Sequence, residues 1–268
     1  MRQFISDSFP DKKGLLVLTG KNYRYFRQVL RIRQGDMVSV RLPDGKLLNM
    51  TATCTDDSAR SVTLQVCAES GFEGSEITIV VKSSEIDVVH GTEYWLFQFL
   101  PKLQKFEQIV KQAAECGVSR IIPVTGDYTE AGSVNAISSS SKLERLSKIV
   151  KEARQQSGSP VDTKICEPVK LEEALRMWKE FSNGKESSAF VLYERNEKTA
   201  TITESVQGRK IEVAAIACGC EGGISPEEIE QMTQENLFIP VHFEGNILRC
   251  ETAALYGMAA LQVITNRG

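Results

Sequence analysis

The side chains best placed to do chemistry fall in three short stretches. "NILRCETAAL" (246–255) crowds Arg249, Glu251 and Thr252 into the lead of an apolar segment that runs from Ala253 to Val263. If that segment is a helix, Thr252 or Glu251 can satisfy the unpaired N–H groups of its first turn. Arg249 does nothing for the helix, because a cation opposes the positive end of the helix dipole. It is therefore either a site residue or one half of an ion pair with an acid such as Glu251. "CGCEGGISPEE" (218–228) sets Gly219, Gly222 and Gly223 around Glu221. Glycines there let the backbone approach a ligand closely, although a tight turn alone would also use them. Ser225, Pro226 and Glu228 read as N-cap, first helical residue and capping-box partner. "VLYERNEK" (191–198) adds Glu194.

Other chemistries fit less well. The middle stretch is neither G-x-G-x-x-G nor G-x-x-x-x-G-K-[ST], which removes the dinucleotide and P-loop readings. Cys218 and Cys220 form C-x-C with no second pair at zinc spacing, so no metal is expected. His90 and His242 are the only histidines, and no G-x-S-x-G elbow accompanies them, which disfavours a serine hydrolase. Trp95 and Trp178 sit on apolar faces and read as core.

All three stretches follow predicted strands. "SAFVLYE" (188–194), "IEVAAIAC" (211–218) and "LFIPV" (237–241) are strand candidates, with helices predicted over "SPEEIEQM" (225–232) and after Ile247. Upstream, strands over 77–81, 93–100 and "RIIPV" (120–124) alternate with helices over 102–116, 138–158 and "LEEALRMWKEF" (171–181). The first of those helices carries the stripe Leu103, Phe106, Ile109, Val110 and Ala113 and stops at Gly117. Alternation of this kind implies an α/β unit with a mostly parallel sheet covered on both faces. Ligands in such sheets sit beyond the carboxyl ends of the strands, so the three stretches should gather at one edge. The first 70 residues differ. "MVSVRL" (37–42), "LLNMTATC" (47–54) and "SVTLQVC" (61–67) alternate as strands, a helix is predicted over roughly 21–31, and the polar stretch at 71–76 reads as a linker.

The 268 residues are 41% hydrophobic and 25% charged, ordinary for a soluble protein, with no apolar run long enough to span a bilayer. No secretory signal is visible, and seven cysteines without a paired framework suit a reducing cytoplasm. The net charge of −3 hides an asymmetry: residues 12–46 hold nine basic side chains against Asp36 and Asp44. A basic front on an acidic chain suggests contact with a polyanion, most simply nucleic acid.

"LPKLQKFEQIVKQAAECGVSRIIPV", "KIVKEARQQSG", "GCEGGISPEE" and "NILRCETAAL", in that order behind a small basic β unit, closely resemble the RsmE family of ribosomal RNA methyltransferases. "VLRIRQGD" (29–36) and Arg2 resemble that family's N-terminal signature. The resemblance implies a SPOUT fold, an α/β trefoil-knot methyltransferase domain over 77–268, behind a PUA-like β-barrel RNA-binding domain over 1–70. It implies a homodimer that uses S-adenosylmethionine to methylate N3 of a uridine in 16S ribosomal RNA of the small subunit.

On this reading Leu192, Tyr193, Glu194, Cys218, Gly219, Glu221, Gly222, Gly223, Phe243, Ile247, Leu248, Cys250, Thr252 and Ala253 would hold the cofactor. Arg2, Lys21, Arg24, Arg27, Arg31 and Arg33 would hold RNA phosphates. Uracil N3 carries a proton that must leave, which needs a base or a cation that stabilises the uracil anion. Arg249 is the expected cation, Glu251 the group that orients it, and Glu221 or Glu194 the candidate base. The chain also departs from the family, which leaves open a methyltransferase of the same fold acting on a different RNA, or an RNA-binding protein that keeps the fold without turnover. Cys220 stands where a proline is expected, Phe243-Glu244-Gly245-Asn246 lacks a basic residue, Ser159 replaces an arginine, and Gly126-Asp127-Tyr128-Thr129 has Tyr128 in place of another.

Overall fold

The computed structural model describes residues 3–67, 91–194, 199–206, 208–243 and 246–265. The expected linker at 71–76, the strand at 77–81, Arg2, His90 and Glu244-Gly245 lie outside the described residues. The chain falls into two compact units, one drawn from Met1–His90 with Gln155–Gly158 and the other from Gly91–Arg154 with Ser159–Gly268.

The first unit is a five-stranded sheet. Its strands are β1 (Gln3–Ile5), β2 (Leu15–Thr19), β3 (Met37–Arg41), β4 (Leu47–Asp56) and β5 (Ser61–Val66), with a helix α1 (Gly20–Arg24) that runs on into a π-type segment, Tyr25–Val29. The strand order is β1-β3-β4-β5-β2, with β1 parallel to β3 and the other neighbours antiparallel. In β4, Leu48, Met50 and Ala52 point inward at a period of two until a register shift between Ala52 and Cys54 ends the alternation. Val62 and Leu64 of β5 meet them, and Phe26 closes the core edge-on against Phe4, 4.9 Å between ring centroids.

Not every cation of this unit is available to a polyanion. Arg41, one of the nine basic residues of the front segment, is buried; its Nε donates to Gln3 Oε1 at 2.7 Å and its Nη1 to the Gly45 carbonyl at 2.7 Å. Arg27 grips Asp57 through two nitrogens, both at 2.9 Å, and donates a third bond to the Ile32 carbonyl. Tyr23 donates to the same carboxylate, and these bonds hold the Asp57 carboxyl below its ordinary range. Lys21, Arg24, Arg31 and Arg33 are exposed.

The second unit is the α/β layer arrangement that strand–helix alternation implies. Its strands are β6 (Glu93–Phe99), β7 (Arg120–Thr125), β8 (Lys164–Ile165), β9 (Val169–Lys170), β10 (Ser187–Leu192), β11 (Val213–Cys218) and β12 (Ile239–Val241). Its helices are α2 (Leu103–Glu115), α3 (Ala131–Ile137), α4 (Ser140–Ser157, whose last residues from Gln155 on are grouped with the first unit), α5 (Leu171–Ser182), α6 (Ile202–Val206), α7 (Pro226–Thr233) and α8 (Cys250–Thr265). The sheet is parallel throughout, in the order β12-β10-β11-β6-β7-β8 with β9 also on β7.

Every residue of β11 is buried, the pattern of a strand covered on both faces. On one face Leu96, Phe190 and Ile216 pack with Phe106, Ile109 and Val110 of α2 and with Met258 and Leu261 of α8. On the other, Trp95, Phe97 and Ala215 pack with Trp178 of α5 and with Phe238. Both tryptophans are core, with ring centroids 5.9 Å apart. Among the described residues no helix is long and apolar enough to cross a membrane.

Candidate active site

Because β10, β11 and β12 are parallel neighbours, their carboxyl ends lie side by side, and the three loops that follow meet there. They enclose a cavity of about 460 Å³, within the range of small-molecule sites. Leu192, Tyr193 and Glu194 reach it from β10, Cys218 to Gly223 from β11, and Phe243, Ile247, Leu248, Arg249, Cys250 and Ala253 from the last loop and α8. Of the expected cofactor residues only Thr252 does not line it; Glu251 does not line it either but lies 3.7 Å from Lys105, which does.

Each loop is fixed locally. Tyr193 N–H donates to the Val241 carbonyl at 2.9 Å, which joins the first loop to the last strand. The middle loop is a turn closed by Gly223 N–H to the Cys220 carbonyl at 3.1 Å, and Gly223 sits at φ +81. Gly219 is pressed against that turn: a Cβ there would lie 2.7 Å from the Gly223 carbonyl carbon. Beneath it the fully buried Gln98 of β6 donates through Nε2 to the Cys218 and Gly219 carbonyls at 3.2 and 3.1 Å. In the last loop the Arg249 carbonyl accepts from Thr252 and Ala253 N–H, so Arg249 stands at the cap of α8.

Beyond the turn the expected capping box is present. Ser225 Oγ accepts from Glu228 N–H, and Glu228 accepts from Ser225 N–H at 2.8 Å. Glu228 is only 5% exposed and its other oxygen accepts from Asp127 N–H at 2.8 Å, while Ser225 Oγ donates to Asp127 at 2.6 Å. One buried carboxylate thus holds two backbone donors from two loops. Glu228→Ala leaves both unsatisfied and should destabilise this unit by about 3 kcal/mol, with Glu228→Gln losing less. Both tryptophans belong to this unit, so denaturant unfolding followed by tryptophan fluorescence reads the effect; an unchanged midpoint would refute it.

A cation absent from the sequence expectations organises the charges. Lys105, from the first turn of α2, lies 3.3 Å from Glu221 and 3.7 Å from Glu251 and lines the cavity. Burial pulls the Glu221 carboxyl upward, but its own and the Lys102 backbone N–H groups, with Lys105, outweigh that and leave it below the ordinary range. Glu251 is held low first by a backbone N–H at the start of α8, then by Cys250, Lys105 and Arg249. Glu251 therefore pairs with Lys105, and among the described residues it makes no ion pair with Arg249. Burial drives the Cys218 thiol far above its usual range; burial and then the bond to Glu251 push Cys250 up to about 12. His242 also lines the cavity, its Nδ1 hydrogen-bonded to the Thr199 hydroxyl at 2.5 Å.

Lys105 could have been found from the sequence. Gln98 pairs with Cys218 across β6 and β11, so the loop after β6 opens on the same edge as the other three. In the sequence its helix stands out by its apolar stripe, which says nothing of a cation on the first turn. Cys220, Ile224, Val241, His242 and Asn246 complete the missed lining.

Comparison with known proteins agrees with the motifs. Residues 89–262 match the model of the RNA methyltransferase domain family. The chain is 25% identical to ribosomal RNA small subunit methyltransferase E of Bacillus subtilis, covering 92% of this chain and 90% of that one. It is 23% identical to the protein of the same name from Rickettsia conorii, covering 98% and 95%. A crystal structure of ribosomal RNA small subunit methyltransferase E from Neisseria gonorrhoeae, bound to S-adenosyl methionine, has the same fold, with a TM-score of 0.73 at 20% identity over 98% of both chains. With the family model matched over well over half its length, the chain belongs to the RNA methyltransferase domain family, and its full-length likeness is to ribosomal RNA small subunit methyltransferase E.

Proposed function

We propose that this protein methylates N3 of a uridine in 16S ribosomal RNA of the small subunit, with S-adenosylmethionine as methyl donor. The observation that carries the reading is the cavity formed where the loops after β10, β11 and β12 converge, with Arg249 at its rim. Its walls suit that donor. Leu192, Ile224, Val241, Phe243, Leu248 and Ala253 offer apolar surface to an adenine and a thioether, and the Gly219–Gly223 backbone can be approached closely. Glu194 and Glu221 supply the negative charge that a sulfonium favours. When bound, the donor supplies an electrophilic methyl group.

The chain's own residues must orient the uracil and manage the N3 proton. The Arg249 guanidinium would stabilise the negative charge that spreads over the uracil oxygens as N3 loses its proton. Glu221 and Glu251, tied by Lys105 and held ionised, hold the middle and last loops together. Their depressed carboxyl values make them weak bases at neutral pH. Glu194 has no ion pair among the described residues, and we assign it to accept the proton. Thr252, on the first turn of α8, would support the wall from behind.

The finer architecture belongs to the same reading: a PUA-like β-barrel over 1–70, a linker at 71–76 and a trefoil-knotted SPOUT domain over 77–268. The five-stranded first sheet and the parallel second one support it. Arg2, Lys21, Arg24, Arg31 and Arg33 would hold RNA phosphates, while Arg27 contributes less because Asp57 already neutralises it. A cytoplasmic homodimer would cover the outer face of α8, where Tyr256 and Val263 are more than half exposed.

The test incubates the protein with methyl-labelled S-adenosylmethionine and small subunits from cells lacking the modification, then identifies the labelled nucleoside by mass spectrometry. Labelled 3-methyluridine at one position is expected. Label in another nucleoside, or none despite cofactor binding, would overturn the assignment.

A further inference from the structure

Tyr128 stands outside the cavity yet touches its wall. It belongs to the loop between β7 and α3, where the resemblance expects an arginine, and it is 50% exposed. Its side chain packs against the middle loop at Gly222. A Cβ added to Gly222 would lie 2.8 Å from Tyr128 Cβ and 3.0 Å from Cγ, so the ring can sit there only because residue 222 has no side chain. Gly222 itself lines the cavity.

The loop that carries the ring is held from several directions. Gly126 N–H donates to Thr129 Oγ1 and Thr129 N–H returns to the Gly126 carbonyl, both at 3.0 Å. Asp127 is bonded through its backbone to Glu228 and through its carboxylate to Ser225. The Cys220 thiol donates to the Tyr128 carbonyl at 3.5 Å, so the cysteine that replaces the family's proline ties the two loops together. Free energy is thus spent on presenting a large aromatic side chain to solvent, against the tendency of such rings to be buried. An exposed residue on a loop fixed by a rigid frame is the usual form of a binding contact.

We propose that Tyr128 is a stacking platform for one unpaired base of the RNA substrate, next to the nucleotide presented to the cavity. The inference rests on the RNA-methylating reading and adds a specificity residue to it. Single-stranded RNA is held largely by stacking of splayed bases on aromatic or guanidinium planes. A tyrosine in place of an arginine keeps a flat face for stacking and gives up the charge, so this contact should depend little on salt.

The test measures binding of a short fluorescein-labelled single-stranded RNA by anisotropy, alongside cofactor affinity by calorimetry. The proteins compared are the wild type, Tyr128→Phe, Tyr128→Leu and Tyr128→Ala. Loss of one stacked base weakens binding by roughly 10-fold. Alanine and leucine should show that loss with cofactor affinity unchanged, and phenylalanine should bind as the wild type does. Leucine binding as tightly as the wild type would overturn the proposal, because bulk against Gly222 would then suffice. A parallel fall in cofactor affinity would also overturn it, since the ring would then merely brace the middle loop. The binding assay needs no turnover, so a wild type that binds this RNA through Tyr128 but methylates no uridine would overturn the methylation reading alone.

Discussion

Arg249→Ala is expected to lower methyl transfer by about 10²- to 10³-fold while leaving cofactor affinity within a few-fold of the wild type. Arg249 lines the cavity and makes no ion pair among the described residues, so the fold depends little on its charge. Its charge faces the positive end of α8, whose first N–H groups its own carbonyl accepts. The same charge attracts Glu251, so removing it should change stability by no more than about 0.5 kcal/mol as activity falls. That loss of activity without a matching loss of stability distinguishes a catalytic cation from a structural one. Arg249→Lys should recover little, because a compact ammonium on a flexible stem cannot reproduce the planar, delocalised guanidinium and its fixed array of donors. Rates from labelled-methyl incorporation and unfolding midpoints test this together; an alanine variant with undiminished turnover would remove Arg249 from the mechanism.

The second large effect is at Gly219. An alanine there would set its Cβ 2.7 Å from the Gly223 carbonyl carbon and 2.9 Å from its Cα and oxygen. The obstruction is backbone, so no side chain can rotate out of the way. One of the two strands of the turn must move, and the Gln98 bond to the Gly219 carbonyl resists movement on the other side. Displacement of a binding wall by about 1 Å costs on the order of 100-fold in affinity or rate. Gly219→Ala should thus lose about that much cofactor affinity in calorimetry, with the far-ultraviolet circular dichroism of the native fold. Unchanged affinity would mean that the cofactor does not touch this turn.

The parts of the molecule legible in the sequence are those where one signal dominates. β11 is a continuous apolar run, α2 a clear stripe, and α7 begins with the capping box that Ser225 and Glu228 form. β1, β2, β8, β9, α3 and α6 were not foreseen, because they span two to seven residues and owe their shape to neighbours rather than to a period of their own. The candidate site was legible because parallel strands send successive loops to one edge. Lys105 escaped because a helix read for its buried side says little about a cation in its first turn. The pairing of Glu251 with Lys105 instead of Arg249 could not be read either, since it joins α8 to α2 across 146 residues of chain. Arg41 and Arg27 show the limit of counting charges. A basic stretch measures potential contact with a polyanion only after internal partners are known.

The raised thiols of the cavity wall have a practical corollary. A group with a pKa near 12 is ionised to about one part in 10⁵ at neutral pH, and it is the thiolate that reacts with maleimides, peroxides and disulfides. Cys218 is further suppressed and Cys220 is raised as well, whereas Cys54 on β4 is exposed. A gentle alkylating reagent should therefore mark the first unit at Cys54 and pass over the wall. That makes Cys54 a ready attachment point for a fluorophore that follows RNA engagement without disturbing the cavity.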